Sequence, residues 1–231
     1  MFDIIRKPFL WQAWDRKLQE EVGQRHTFHL KSIQDLVIYD HLRSLEGKKI
    51  AEIGGGNSRI LAKLATRNDC YNIEKFEGQG GGPVSVIDLP GVTNIPVFLG
   101  EHSGKLEKDF FDVVFSISVI EHVPNKMLAD FVREGISILK PGGLWLHAID
   151  IYIEDQPSER MTEKFNIYRD WLALPGLDPV GRILEGPLKF TCDMATNPDN
   201  VMYEWGKIVP SLIPLRQKAQ SVSILMAAKR V

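Results

Sequence analysis

The segment Lys49-Ile50-Ala51-Glu52-Ile53-Gly54-Gly55-Gly56-Asn57-Ser58-Arg59-Ile60-Leu61 constrains the fold more than any other part of the chain. Ile50, Ala51 and Ile53 form a short apolar run of the kind that makes a buried strand. Three glycines follow at once. From Ser58 onward the apolar residues Ile60, Leu61, Leu64 and Ala65 fall on one helical face. The order is therefore strand, tight turn, helix, with the helix expected over about Ser58–Thr66. Glycine lets the backbone pass close to a ligand and adopt positive φ. A helix N-terminus offers free N–H groups to an anionic group. A turn built this way suits a nucleotide-like cofactor.

Two details argue against NAD. A dinucleotide turn places a third glycine three residues after the second, for close helix–strand packing. Arg59 stands there. Glu52, two residues before the first glycine, would repel a pyrophosphate and suits a cofactor with a cationic amino-acid end. The pattern Glu-x-Gly-x-Gly over 52–56 resembles motif I of the class I S-adenosylmethionine-dependent methyltransferases.

The composition fits one domain with an elaboration. At 231 residues and 44% apolar content the chain can bury a proper core. The net charge of −2 gives no basic bias, which argues against nucleic acid as a partner. The two cysteines, Cys70 and Cys192, are far apart and in no metal spacing, so a reducing, cytoplasmic setting is expected. No run approaches the roughly 20 apolar residues of a membrane span, and the N-terminus lacks a signal-type apolar core. Residues 2–14 mix Phe2, Ile4, Ile5, Phe9, Leu10, Trp11 and Trp14 with charges, and the acids among and after them favour a helix packed on the domain over one lying on a membrane.

Strands then alternate with helices, which specifies a doubly wound, mostly parallel α/β sheet, Rossmann-like. Residues 1–46 are expected to form a helical cap, with a second amphipathic stretch at Leu30, Ile33, Leu36, Val37 and Leu42. Residues 47–231 form the main domain. Strands are expected at Lys49–Ile53, Cys70–Glu74, Val97–Leu99, Asp112–Ile120, Leu144–Ile149 and Ser223–Ala228, with shorter apolar pieces such as Val84–Leu89. Helices are expected at Met127–Leu139 and around Val201–Leu212. Lys140-Pro141-Gly142-Gly143 is a helix stop. Residues 155–200 are dense in proline and glycine and form an expected substrate-side insert before the last hairpin.

Further pieces occur in the order known for class I methyltransferases, namely Glu74, Gly100-Glu101-His102, the stretch Phe111–Pro124 and Leu139–Gly143. The resemblance covers about residues 45–153 and 200–231 and implies a seven-stranded sheet and S-adenosylmethionine as cofactor. It implies cofactor contacts at Glu52, Gly54, Gly56, Asn57 and Ser58 in the turn, and a ribose acid at Glu74, with Glu77 as the alternative. It implies an adenine contact at Glu101 or its neighbour, and close approach of the cofactor at Ser116 and Ile117.

The expected activity is methyl transfer by in-line displacement to an oxygen of a small molecule or glycan. An RNA or protein methyltransferase, or a non-catalytic adenosylmethionine-binding module, is the alternative. Such an enzyme works mostly by alignment and water exclusion. A base is needed only where the acceptor must lose a proton. Open α/β sheets bind ligands at the carboxyl ends of their strands, which makes His122 and Asp150 the candidate catalytic residues. His147, inside a strand, is expected to be core, and His26 and His29 to be surface. Some ubiquinone-pathway and RNA-end relatives hold a metal through Glu-x-x-Glu-His. Ser118 occupies the first of those positions here, which argues against a metal, although Glu121, His122 and Asp150 could converge. The aromatics Trp11, Trp14, Phe28, Phe165, Tyr168, Trp171, Phe190, Tyr203 and Trp205 could be core or an apolar lid over an acceptor.

Overall fold

A computed structural model of the chain describes residues 1–24, 29–78, 82–154, 156, 158–185 and 219–231. The expected helix around Val201–Leu212 lies outside them, as do His26, Phe28, Phe190, Cys192, Tyr203 and Trp205. Among the described residues eight strands form one sheet. They are β1 (Phe2–Ile4), β2 (Lys49–Ile53), β3 (Asp69–Ile73), β4 (Val92–Ile95), β5 (Phe111–Ile117), β6 (Leu139–Glu154), β7 (Leu177–Pro179) and β8 (Ala219–Arg230). The order across the sheet is β1-β8-β6-β5-β2-β3-β4, with β7 also paired to β8. The pairs from β6 through β5, β2 and β3 to β4 are parallel. The three pairs that involve β8 are antiparallel.

Alternate residues of the central strands feed two cores, as a sheet covered on both faces requires. Ile50, Val113, Phe115, Leu146 and Ala148 pack against helices α1 (Lys7–Asp15), α2 (Leu18–Val22), α3 (Leu30–Leu42) and α4 (Leu61–Leu64). Ala51, Ile53, Val114, Trp145 and Ile149 pack against α5 (Asn125–Ile138) and α6 (Glu159–Asp170).

Several elements differ from the sequence reading, each for a physical reason. Residues 2–4, expected in a helix, pair antiparallel with Ile224–Met226, and Phe2 is fully buried against Phe165. The helix after the glycine turn is one turn long, and the Ser58 hydroxyl accepts from the Leu61 N–H at 3.0 Å. The outer parallel strand is Val92–Ile95 rather than Val97–Leu99. Val97 and Leu99 are buried without strand pairing. β5 stops at Ile117, because Ser118 turns left-handed (φ 54°) and a 3-10 turn, Ile120–His122, follows. β6 runs on past Ile149 to Glu154, because β8 pairs with it residue by residue to Ala219.

The first part of the expected insert joins the core. Phe165, Tyr168, Trp171, Leu172 and Leu177 are all buried in the cluster under α5 and α6.

Candidate active site

The carboxyl ends of β2, β3 and β5 open into a cavity of about 340 Å³. Gly54, Glu74, Ser118, Val119 and His122 line it, and Val97, Leu99 and Phe131 supply apolar wall.

Gly54 sits at φ 64° and its N–H donates to the Ile73 carbonyl at 2.9 Å. A Cβ there would lie 2.7 Å from Val119 Cγ2. Gly55 rides over two buried acceptors, and its Cβ would lie 2.8 Å from Asn72 Oδ1 and 3.0 Å from Glu52 Oε2. Both of those oxygens are buried without a hydrogen-bond partner. Burial pushes the Glu52 carboxyl up to about 7, against the pull of the Ser58 hydroxyl toward the charged form. A glycine cradle with unsatisfied acceptors beneath it, opening on a cavity with an acid at the next strand end, fits a cofactor with a cationic amino-acid end. Gly54 and Glu74 line that cavity and would hold it, with Glu52 buried beneath Gly55 as the acid behind the turn.

The other predicted cofactor residues are placed as follows. Glu74 follows β3 directly and its Oε1 accepts from the Phe76 N–H at 3.2 Å. Glu77 lines the same cavity. Glu101 does not line it and instead pairs with Lys75, which does, at 2.6 Å. Asn57 is exposed and Gly56 lies against Pro83, both away from the cavity wall. Ser116 is fully buried, with its hydroxyl 2.7 Å from His147 Nδ1, and Ile117 pairs with Ala148. His147 lies in the core, and burial pulls its imidazole down to about 3.

Arg59, where a dinucleotide turn has its third glycine, reaches Asp35 of α3. Nη2 lies 2.8 Å from Oδ1, and Nε meets Oδ2 as well. Gln24 also donates to this wholly buried carboxylate, at 2.6 Å.

Asp150 lies within β6 but two residues beyond the last β5 pairing, Ile117 with Ala148. Its bonds go to Gln34 Nε2 at 2.5 Å, Ser118 Oγ at 3.0 Å and Lys31 Nζ at 3.2 Å, not to His122. Glu121 lies beside it. Burial first, and the Asp150 charge second, push the Glu121 carboxyl up to about 8. Among the described residues no group of three or more His, Cys, Asp or Glu is arranged to hold a metal ion.

The sequence reading missed Asn72, Gln34, Lys31 and Asp35. Asn72 had a visible signal, a lone amide in an apolar strand. Gln34 had a fainter one, since it shares a helical face with the fully buried Ile38.

Comparison with known proteins agrees with this geometry. The family described as a methyltransferase domain matches residues 51–146. A ribosomal protein L11 methyltransferase of Bacteroides fragilis is 31% identical over 136 residues, covering 57% of this chain and 46% of that protein. A tRNA U34 carboxymethyltransferase of Desulfotalea psychrophila is 30% identical over 115 residues, covering 45% of this chain and 32% of that protein. The chain thus spans about half or less of the length of these curated relatives. Among solved structures, the geranyl diphosphate C-methyltransferase of Streptomyces coelicolor, crystallised with S-adenosyl-L-homocysteine, shares the fold. Its TM-score is 0.58 at 17% identity, over 87% of this chain and 76% of that one. No described helix is long and apolar enough to cross a membrane.

Proposed function

We propose that the chain, with its methyltransferase domain over residues 51–146, is a class I S-adenosylmethionine-dependent methyltransferase that methylates an oxygen of a small molecule or glycan. The observation that carries this reading is Asp150. It is a carboxylate beyond the parallel edge of the sheet, bonded to Ser118 of the cavity wall and held by two side chains of α3. S-adenosylmethionine, when bound, supplies a methyl group on a sulfonium for in-line displacement. The chain's own work is to hold that cofactor through Glu52, Gly54 and Glu74, to exclude water with Val97, Leu99 and Phe131, and to orient an acceptor hydroxyl. Asp150 takes the proton, and His122 borders the same space. Loss of one such base costs about 10²–10⁴ in rate.

A second reading has support of its own. The two curated relatives are named for a ribosomal protein and a tRNA, so the low net charge does not set nucleic acid aside. An RNA or protein acceptor is the alternative, and a cofactor-binding module without transfer is the third.

The deciding experiment offers S-adenosylmethionine with three pools, namely hydroxyl-bearing small molecules and oligosaccharides, tRNA and rRNA, and ribosomal proteins. Methylated product is identified by mass. Transfer to the first pool, reduced at least 10²-fold by Asp150→Asn, is the expected result. Transfer confined to RNA or protein would replace the reading, and near wild-type turnover of Asp150→Asn across neutral pH would remove Asp150 from it.

A further inference from the structure

Among the described residues, Ser118 both lines the cavity and bonds to the polar node of Gln34 and Asp150. Its backbone is held at φ 54°, a conformation that is costly for a residue with a side chain and persists where the surroundings fix it. The surroundings do fix it. Its N–H donates to the Ala148 carbonyl at 2.9 Å, and its hydroxyl lies 2.7 Å from Gln34 Oε1 and 3.0 Å from Asp150 Oδ1. Lys31 and Gln34 anchor the Asp150 carboxylate, so it cannot swing toward an acceptor. The hydroxyl in front of it is the group within reach. Beside Asp150 lies Glu121, whose two carboxyl oxygens are closed off from solvent and meet no side-chain hydrogen-bond donor. Asp150 from β6, Lys31 from α3 and Tyr168 from α6 face it.

We propose that Ser118, Asp150 and Glu121 form one proton-accepting unit that opens on the methyl acceptor through the Ser118 hydroxyl, with Gln34 and Lys31 as positioning residues. The proposal rests on the reading of the chain as an oxygen methyltransferase. As the acceptor's oxygen–methyl bond forms, its O–H proton passes to Ser118 Oγ while Ser118's own proton passes to Asp150 Oδ1. The balance is one carboxylate neutralised for one sulfonium charge lost. Glu121 sets the strength of that base. Protonated, it adds no charge beside Asp150; once it loses its proton, near pH 8, a second negative charge makes Asp150 the better proton acceptor. Turnover therefore rises as pH passes through that step.

Two measurements on the full chain saturated with S-adenosylhomocysteine and S-adenosylmethionine test this. In the first, carbon NMR follows the Glu121 carboxyl with pH in the S-adenosylhomocysteine complex. A step near 8 that moves down in Asp150→Asn, where the repelling charge is gone, is expected. A step in the ordinary carboxylate range, or one that Asp150→Asn leaves in place, overturns the unit. The second uses Ser118→Gly, which suits the left-handed backbone and removes only the hydroxyl. The midpoint of unfolding should hold or rise and cofactor affinity stay within a few-fold. With catechol as the probe acceptor, kcat should fall about 10²-fold. Unchanged kcat overturns the role of Ser118. If the wild-type chain does not methylate catechol, that counts against the oxygen-acceptor reading, and the titration decides the proton unit by itself.

Discussion

Replacing Gly54 with alanine tests whether the turn after β2 is shaped for a ligand or only for the chain. Two costs add at this position. A residue with a Cβ at φ 64° loses about 1–2 kcal/mol relative to glycine. The new Cβ also lies 2.7 Å from Val119 Cγ2 and 3.1 Å from Cγ1, and overpacking of this kind costs about 1–3 kcal/mol. Val119 borders the cavity and can yield in part, so the sum expected is about 2–3 kcal/mol. If that cost falls on the cofactor-competent shape of the turn, affinity for S-adenosylhomocysteine drops about 30- to 150-fold, at about 1.4 kcal/mol per factor of ten. The companion Val119→Ala separates the two contributions. In the Gly54→Ala background it should recover roughly 1 kcal/mol, the steric part, and leave the backbone part in place. Calorimetry with S-adenosylhomocysteine and urea unfolding followed by circular dichroism read both. Wild-type affinity and stability in Gly54→Ala would refute the reasoning outright. A Val119→Ala partner that recovers nothing would refute its steric half.

Other expectations follow from buried groups. Gly135 of α5 packs on Trp145, and a Cβ there would collide with two carbons of its ring, so Gly135→Ala should cost about 1–3 kcal/mol in urea unfolding. An unchanged midpoint would show that the wholly buried Trp145 ring can move aside. His147 takes a proton only near pH 3 when folded, against 6.5 as the ordinary value. Its folded pKa is depressed, so the unfolded chain binds more protons between those limits. Stability present above pH 6.5 should fall as pH drops toward 3, and His147→Gln should flatten that limb. Glu52 has the opposite sign. Its carboxyl is raised from 4.5 to about 7, so its contribution is full below 4.5 and is lost as pH rises through 7. Glu52→Gln should gain relative stability at pH 8 over pH 5, and pH-dependent urea midpoints that do not change with this substitution would contradict its burial as a proton-holding acid.

What was legible in the sequence was whatever local pattern alone determines. Lys49–Ile53 is a strand in both readings because an apolar run followed by three glycines has few other solutions, and Asn125–Ile138 is a helix because its apolar spacing ends at a proline–glycine stop. Errors came where pairing or burial over distance decides. Val97 and Leu99 are apolar because they wall the cavity, while the strand beside them, Val92–Ile95, carries Thr93 and Asn94 at the sheet's edge. Phe2–Ile4 is too short to declare a period and becomes a strand only because β8 is there to receive it. The polar node is the extreme case. Gln34 meets Asp150 across 116 residues and Asp35 meets Arg59 across 24, so nothing local marks either contact.

Yet those two contacts give α3 its place in the site. Successive residues of one helix, Gln34 and Asp35, hold Asp150 of β6 and, through Arg59, the glycine turn. Leaving Asp35 without its guanidinium, or Asp150 without its amide, strands a carboxylate among partners that no longer match it, which is costly in the interior. Helix α3 is thus tied by hydrogen bonds and charge to Arg59 of the turn and to Asp150 of β6. A substitution in α3 that spares its apolar face should therefore disturb cofactor and acceptor together.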